Sequence, residues 1–160
     1  LPQMMEDLIG TLEAKYPKVR FHFNKRSAVD FFTGDQTGMT SVILNLLENA
    51  VKYSPDPADI EASIEQQGDV IILEFADQGY GVSDKEKALI FDKFYRVGSE
   101  DTRKTKGTGL GLYIVQQIVE AHGGVISVED NLPRGTVFRI QLPLDKQQNR
   151  KRKPQPAASE

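Results

Sequence analysis

The segment that most limits how this chain can fold runs from Gln36 to Tyr53, where apolar residues recur at helical spacing. Asp35 precedes it in the place of an N-cap, and Pro55 and Pro57 forbid its continuation. At about 100° per residue, with Asn45 at zero, Met39, Ile43, Leu46, Leu47 and Ala50 fall between roughly 100° and 200° and form a face for a core. Asn49 near +40°, Lys52 near roughly −20° and Glu48 near roughly −60° join Asn45 in a narrow polar strip. Leu44 and Val51 flank that strip, so the helix is not half-solvated. Two asparagines inside a helix are unfavourable, because the amide competes for the backbone. An amide oxygen is also a neutral, hard ligand of the kind magnesium accepts while keeping several waters and bridging phosphates.

Shorter elements surround this helix. Met4, Met5, Leu8, Ile9 and Leu12 predict a helix that Pro17 closes. Val19 to Phe23 alternates and predicts a strand with Val19, Phe21 and Phe23 inward; Ala28 to Phe32 is a second strand candidate. Ile60 to Glu65 and Val70 to Ala76 read as a hairpin turned at Gln67-Gly68-Asp69, the second strand apolar enough to be central. Ser83-Asp84-Lys85-Glu86 is a capping-box start. Leu110 to Ala121 is helical and ends at His122-Gly123-Gly124. Val125 to Val128 and Thr136 to Leu142 are strands, with Asn131 to Gly135 between them. Helices and strands mix without strict alternation, which predicts an α+β layer: a sheet with helices on one face.

Composition excludes several classes. A chain of 160 residues with 39% apolar and 27% charged residues is of one-domain size and globular type. Its longest apolar runs fall far short of the ~20 residues of a membrane span. The opening residues, with Glu6 and Asp7, do not look like a signal peptide. Zero cysteines exclude a disulfide framework and a thiol nucleophile. His22 and His122, far apart in sequence, argue against a multi-histidine zinc site and read as structural. The segment 145–160 carries +3 and is expected to be a basic, disordered tail; the net charge of −3 therefore leaves −6 on residues 1–144. An acidic body is not the footprint of a nucleic-acid binder, and none is expected as a partner.

Two glycine clusters carry chemistry. Asp77-Gln78-Gly79-Tyr80-Gly81-Val82 follows the apolar strand directly. A carboxylate there, followed by glycines, lets the backbone come close to a flat ligand while the acid accepts a hydrogen bond; taken alone, the motif fits a tight turn better than a binding site. Gly107-Thr108-Gly109-Leu110-Gly111-Leu112 opens a helix, where unpaired amide donors suit phosphate oxygens. It is neither a P-loop nor the dinucleotide pattern. Between the clusters, residues 82–106 include Arg96, Arg103, Lys104 and Lys106, the form of a lid that closes basic side chains over an anion.

Together these segments resemble the catalytic ATP-binding domain of sensor histidine kinases, within the gyrase, Hsp90, histidine kinase and MutL superfamily. Asn45 to Tyr53 is similar to the N box, Asp77 to Gly81 to the G1 box and Phe91-Asp92-Lys93-Phe94-Tyr95-Arg96 to the F box. Gly107 to Leu112 matches the G2 box, and Gly135-Thr136-Val137-Phe138 the last glycine motif. The resemblance implies the Bergerat fold, a two-layer α/β sandwich whose mixed sheet is backed by three helices, with a mobile ATP lid. It implies that Asp77 accepts from the adenine amino group, that Tyr53 packs beside the ring and that Thr136 supports the pocket. Gly79, Gly81 and Val82 would complete the base end, and Gly107, Thr108, Gly109, Leu110, Gly111 and Leu112 the phosphate end. Asn49, with Asn45, would hold Mg2+; Lys52, Arg96 and Lys106 would neutralise phosphate charge. Glu48 would stand at the motif's acidic position and polarise the accepting group.

The function so implied is transfer of the ATP γ-phosphoryl group to a histidine on a separate dimerisation and phosphoacceptor domain, for relay to a response regulator. No acceptor-type His-acid pair occurs here. The isolated domain is expected to be monomeric and cytoplasmic, its parent a homodimer that an inner membrane could anchor. Two alternatives stand beside this one: a nucleotide-binding module without transfer, and a serine kinase of the anti-sigma type.

Overall fold

The computed structural model describes residues 1–29, 32–98 and 107–144. Helix α1 spans Pro2–Lys15 and buries Met5, Ile9 and Leu12. Proline at its first turn costs nothing, because that N–H has no intrahelical partner anyway. Strand β1, Arg20–Lys25, follows, with Phe21 and Phe23 against the core as predicted. Helix α2, Gln36–Tyr53, begins where the Asp35 carboxylate accepts the Thr37 N–H at 3.0 Å. Strands β2 (Asp59–Gln67) and β3 (Val70–Asp77) form the predicted hairpin, with Gly68 at φ +60° in its two-residue turn. After α3 (Asp84–Lys87), capped by Ser83, come α4 (Gly111–Ala121), β4 (Val125–Asp130) and β5 (Thr136–Pro143).

The sheet order is β1-β2-β3-β5-β4, parallel only between β1 and β2. The apolar β3 is central, as its composition requires. One face of the sheet, including Ile60, Ile64, Leu73, Phe75, Ile140 and Leu142, merges with the buried sides of α1, α2 and α4 in one core. Each such side chain contributes roughly 1.5–3 kcal/mol by leaving water. The opposite face is polar, with Glu74 paired to both Arg26 and Arg139. This is the expected α+β sandwich of a mixed sheet and three long helices.

One strand expectation fails. The described residues of the segment 28–32 are not in a strand; Asp30 and Phe31 lie outside the described residues. The last ladder bond of this edge is Arg26 N–H to the Ile64 carbonyl. The Ser27 hydroxyl then accepts the Gln66 N–H at 2.8 Å, so a side chain takes the place of the next backbone acceptor and the chain leaves the sheet. The +3 segment 145–160 and the part of the expected lid from 99 to 106, with Arg103, Lys104 and Lys106, likewise fall outside the described residues.

Helices α2 and α4 run antiparallel, and glycines set their register. A Cβ on Gly38 would come 3.1 Å from Ile118, and one on Gly111 would come 2.9 Å from the Asn45 side-chain oxygen. At the far end His122 acts as a clasp. Its Nε2 accepts the Asp35 N–H at 2.9 Å, while Nδ1 lies 2.7 Å from the Ile118 carbonyl and donates to it. The ring also packs on Phe32, with centroids 5.8 Å apart. His22 pairs with Asp59 at the edge of the sheet. Both histidines thus hold structural positions.

Replacing His122 by Ala removes an acceptor at the entry of α2 and a packed ring. Urea unfolding should show a loss of about 2 kcal/mol, with most of that loss absent in His122→Gln, whose amide oxygen can still accept from Asp35.

Candidate functional site

The ends of α2, β3 and β5 meet at a cavity of about 500 Å³. Its walls bring together Asn45, Asn49, Lys52 and Tyr53 from α2, Asp77, Gly81 and Val82 from the first glycine cluster, and Thr136 from β5. Arg96 and the second cluster, through Gly107, Thr108, Gly109, Gly111 and Leu112, complete the lining. Residues more than 90 positions apart therefore converge on one hollow, and Asn45, Asn49 and Lys52 of the polar strip of α2 line it.

Asp77 is the polar anchor. It is 5% exposed, and one oxygen, Oδ1, accepts the N–H of Gly79 at 2.8 Å and of Thr136 at 3.2 Å. The second oxygen is left for a ligand. Burial pushes its carboxyl above the usual carboxylate range, and the two N–H donors only partly offset that. Glycine is required beside it: a Cβ on Gly79 would strike the Tyr53 carbonyl, and one on Gly135, at φ +117°, would overlap the Asp77 carbonyl.

The other end suits an anion. Helix α4 starts at Leu110 with no side-chain cap, in contrast to α2. Its first N–H groups therefore retain donor capacity beside the cavity, where Gly111 sits. Lys52 reaches the same place, its Nζ only 2.6 Å from where a Gly107 Cβ would stand. Asn45 ties its NH2 back to the Ser41 carbonyl at 2.8 Å and turns its oxygen toward Gly111. Among the described residues no group of three or more His, Asp or Glu could hold a metal alone. A cation here would rest on amide oxygens and on the ligand's own phosphates, which fits magnesium.

Three predicted residues stand elsewhere. Glu48 is not in the wall: it pairs with Lys15 at 2.8 Å, because its place on the wheel, beyond Asn45 on the side away from Asn49, carries it toward α1. Gly79 lies behind Asp77 as its hydrogen-bond donor, and Leu110 forms the cap position of α4. Conversely, the walls include Tyr80, Ile90, Tyr95, Val97, Gly98 and Phe138, which were not predicted. Phe138 could have been read from strand alternation, since it shares a face with Thr136. The loop's two flanks also touch: Phe94, at φ +67°, donates its N–H to the Gly109 carbonyl at 2.9 Å.

Residues 34–146 match the family described as histidine kinase-, DNA gyrase B- and HSP90-like ATPase. The sensor histidine kinase WalK of Bacillus subtilis is 35% identical over 141 residues, covering 81% of this chain and 23% of WalK. This chain thus spans about a quarter of that relative. Among solved structures, the catalytic domain of histidine kinase ThkA superposes with a TM-score of 0.79 at 27% identity, covering 90% of this chain and 92% of that one. The mycobacterial sensor histidine kinase MprB gives 0.77 at 29%, covering 89% and 93%.

A buried carboxyl whose pKa is raised by folding favours the native state below its unfolded pKa and loses that contribution as pH rises through the native value. Asp77→Asn removes the buried charge but keeps an oxygen for the two N–H donors. The free domain should melt about 3 °C higher at neutral pH, and the gap should close as pH falls through the acid range. Thermal melts at pH 7 and at about pH 4 check the sign.

Proposed function

Because the chain belongs to the histidine kinase-, DNA gyrase B- and HSP90-like ATPase family, we propose that it is the ATP-binding catalytic domain of a sensor histidine kinase that phosphorylates a histidine on a separate domain. The observation that carries this reading is the meeting of Asp77, the amide strip of α2 and the uncapped start of α4 around one cavity.

In that cavity the free oxygen of Asp77 accepts from the adenine amino group, and Tyr53 packs beside the ring. Thr136 fixes the other carboxylate oxygen through its N–H. The triphosphate then lies toward Lys52 and the N–H groups that open α4, with Arg96 also in the lining. Asn45 and Asn49 would hold magnesium, which when bound lowers the charge of the phosphates. Phosphoryl transfer passes through a loose transition state, so the protein's part is to align the γ-phosphoryl group and balance its charge. An imidazole nitrogen of the acceptor attacks phosphorus, the bond to the β–γ bridging oxygen breaks, and ADP leaves. Glu48, held by Lys15 outside the wall, is left out of this sequence of events.

The acceptor histidine, its dimerisation helices and a response regulator belong to other parts of the system. The supply of ATP puts the domain in the cytoplasm. Among the described residues no helix is long and apolar enough to cross a membrane.

Mixing the chain with Mg-ATP and a separately expressed acceptor-helix domain should give acid-labile label on the acceptor. Acid-stable phosphoserine on an anti-anti-sigma partner would favour the serine-kinase alternative, and tight ATP binding without transfer would favour a binding module. Asn49→Asp should weaken Mg-ATP binding about tenfold or more by placing a like charge beside the phosphates, and Asp77→Asn should weaken it similarly by presenting a donor to a donor; calorimetry reads both.

A further inference from the structure

The turn that carries Asp77 is held from outside the cavity by a loop to which the reading above gives no role. Between β4 and β5, Asn131 donates from Nδ2 to the main-chain carbonyl of Asp77 at 2.7 Å. Its own N–H closes the loop by donating to the Gly135 carbonyl at 3.0 Å. Two residues along the turn, Arg134 donates from Nε to the Gly79 carbonyl at 3.0 Å. Its guanidinium carbon lies 5.8 Å from the centre of the Tyr80 ring, which is one wall of the cavity. Neither Asn131 nor Arg134 lines the cavity itself.

We propose that Asn131 and Arg134 are positioning residues for base recognition, acting through Asp77, Gly79 and Tyr80. The direction of the free Asp77 oxygen depends on the backbone at 77 and on the Gly79 N–H that fixes Oδ1. Glycine brings no side chain to restrict its own backbone, so the Gly79 N–H is aimed by what holds the peptides on either side of it. Arg134 holds the following peptide through the Gly79 carbonyl, and Asn131 holds the preceding one through the Asp77 carbonyl. Arg134 also braces Tyr80, an exposed ring that would otherwise be free to change rotamer. A base-reading carboxylate tied in this way discriminates by direction, and loosening it should cost discrimination before it costs phosphate affinity.

The inference rests on the proposed adenine contact, so its test must separate the two. Calorimetry on the chain would compare ADP, GDP and inorganic tripolyphosphate, each with magnesium, for the wild type, Asn131→Ala, Arg134→Ala, Arg134→Lys and Asp77→Asn. Loss of one such hydrogen bond should weaken ADP about fivefold in each Ala variant. The preference for ADP over GDP should shrink by a similar factor, with tripolyphosphate binding nearly unchanged and the melting temperature lowered by only a few degrees. Arg134→Lys, which keeps a cation over Tyr80, should recover part of the preference. Arg134 is exposed, so its variants should fold even if Asn131→Ala does not. An unchanged ADP-to-GDP ratio in the Arg134 variants, or a parallel loss of tripolyphosphate binding, overturns the positioning role. If Asp77→Asn loses ADP while the loop variants keep it, this inference alone falls. If the wild type does not bind ADP, the functional reading falls and takes the inference with it.

Discussion

A carboxylate at the end of the central strand, 5% exposed and supplied with only two N–H donors, is the constraint on which the site is built. Burying an ionised group without full pairing is costly, and among the described residues Asp77 makes no ion pair that would offset that cost. The raised pKa expresses the same cost. The adenine contact proposed above would complete such a group. The neighbouring sequence follows from the need to keep it in place: glycine at 79 and 135, where no Cβ fits, and an N–H from the first residue of β5. Because β3 and β5 pair antiparallel, with Ala76 opposite Val137, the end of one strand and the start of the other necessarily share this edge.

The second half of the site depends on helix packing rather than on the sheet. Gly38 and Gly111 let α2 and α4 approach closely, and His122 fixes the far end of the pair. That register sets Asn45 against the first turn of α4 and Lys52 against Gly107. A shift by one turn, about 5.4 Å, would separate the amide strip from the N–H groups it faces. Packing and the shape of the cavity are therefore one problem here: the small residues that allow the core to close also bring together the groups proposed to bind phosphate.

Much of this was legible in the sequence because the signals are local. The Asp35 cap, the proline stop and the apolar run of β3 each act within a few residues, and the structure follows them. The polar strip of α2 was legible because a helix converts spacing into direction. Glu48 shows where that conversion ends: the wheel gives an angle, but what occupies that angle depends on α1, which only the fold supplies. The segment 28–32 failed because strand propensity cannot tell whether a free sheet edge remains to pair with, and Ser27 closes it. The bracing of Asp77 by Asn131 and Arg134 left no signal, since Asn-Leu-Pro-Arg-Gly reads as an ordinary connection until β4 and β5 bring it beside the first glycine cluster.

The two ends of the cavity differ in how their groups are held, and that difference suggests a division of labour. At the base end Asp77, Gly79, Thr136, Asn131 and Arg134 form a connected set of hydrogen bonds, so their ordering cost is met when the chain folds. At the other end the start of α4 has no side-chain cap and the Lys52 ammonium stands beside it. Like partial and full charges face the same space there, and an anion relieves both. On the proposed function, the tied end would read the base without further ordering, while the electrostatically incomplete end would gain most when polyphosphate arrives. Selectivity for the base and affinity for the phosphates should therefore respond to different substitutions, since the groups that produce them share a cavity but not a network.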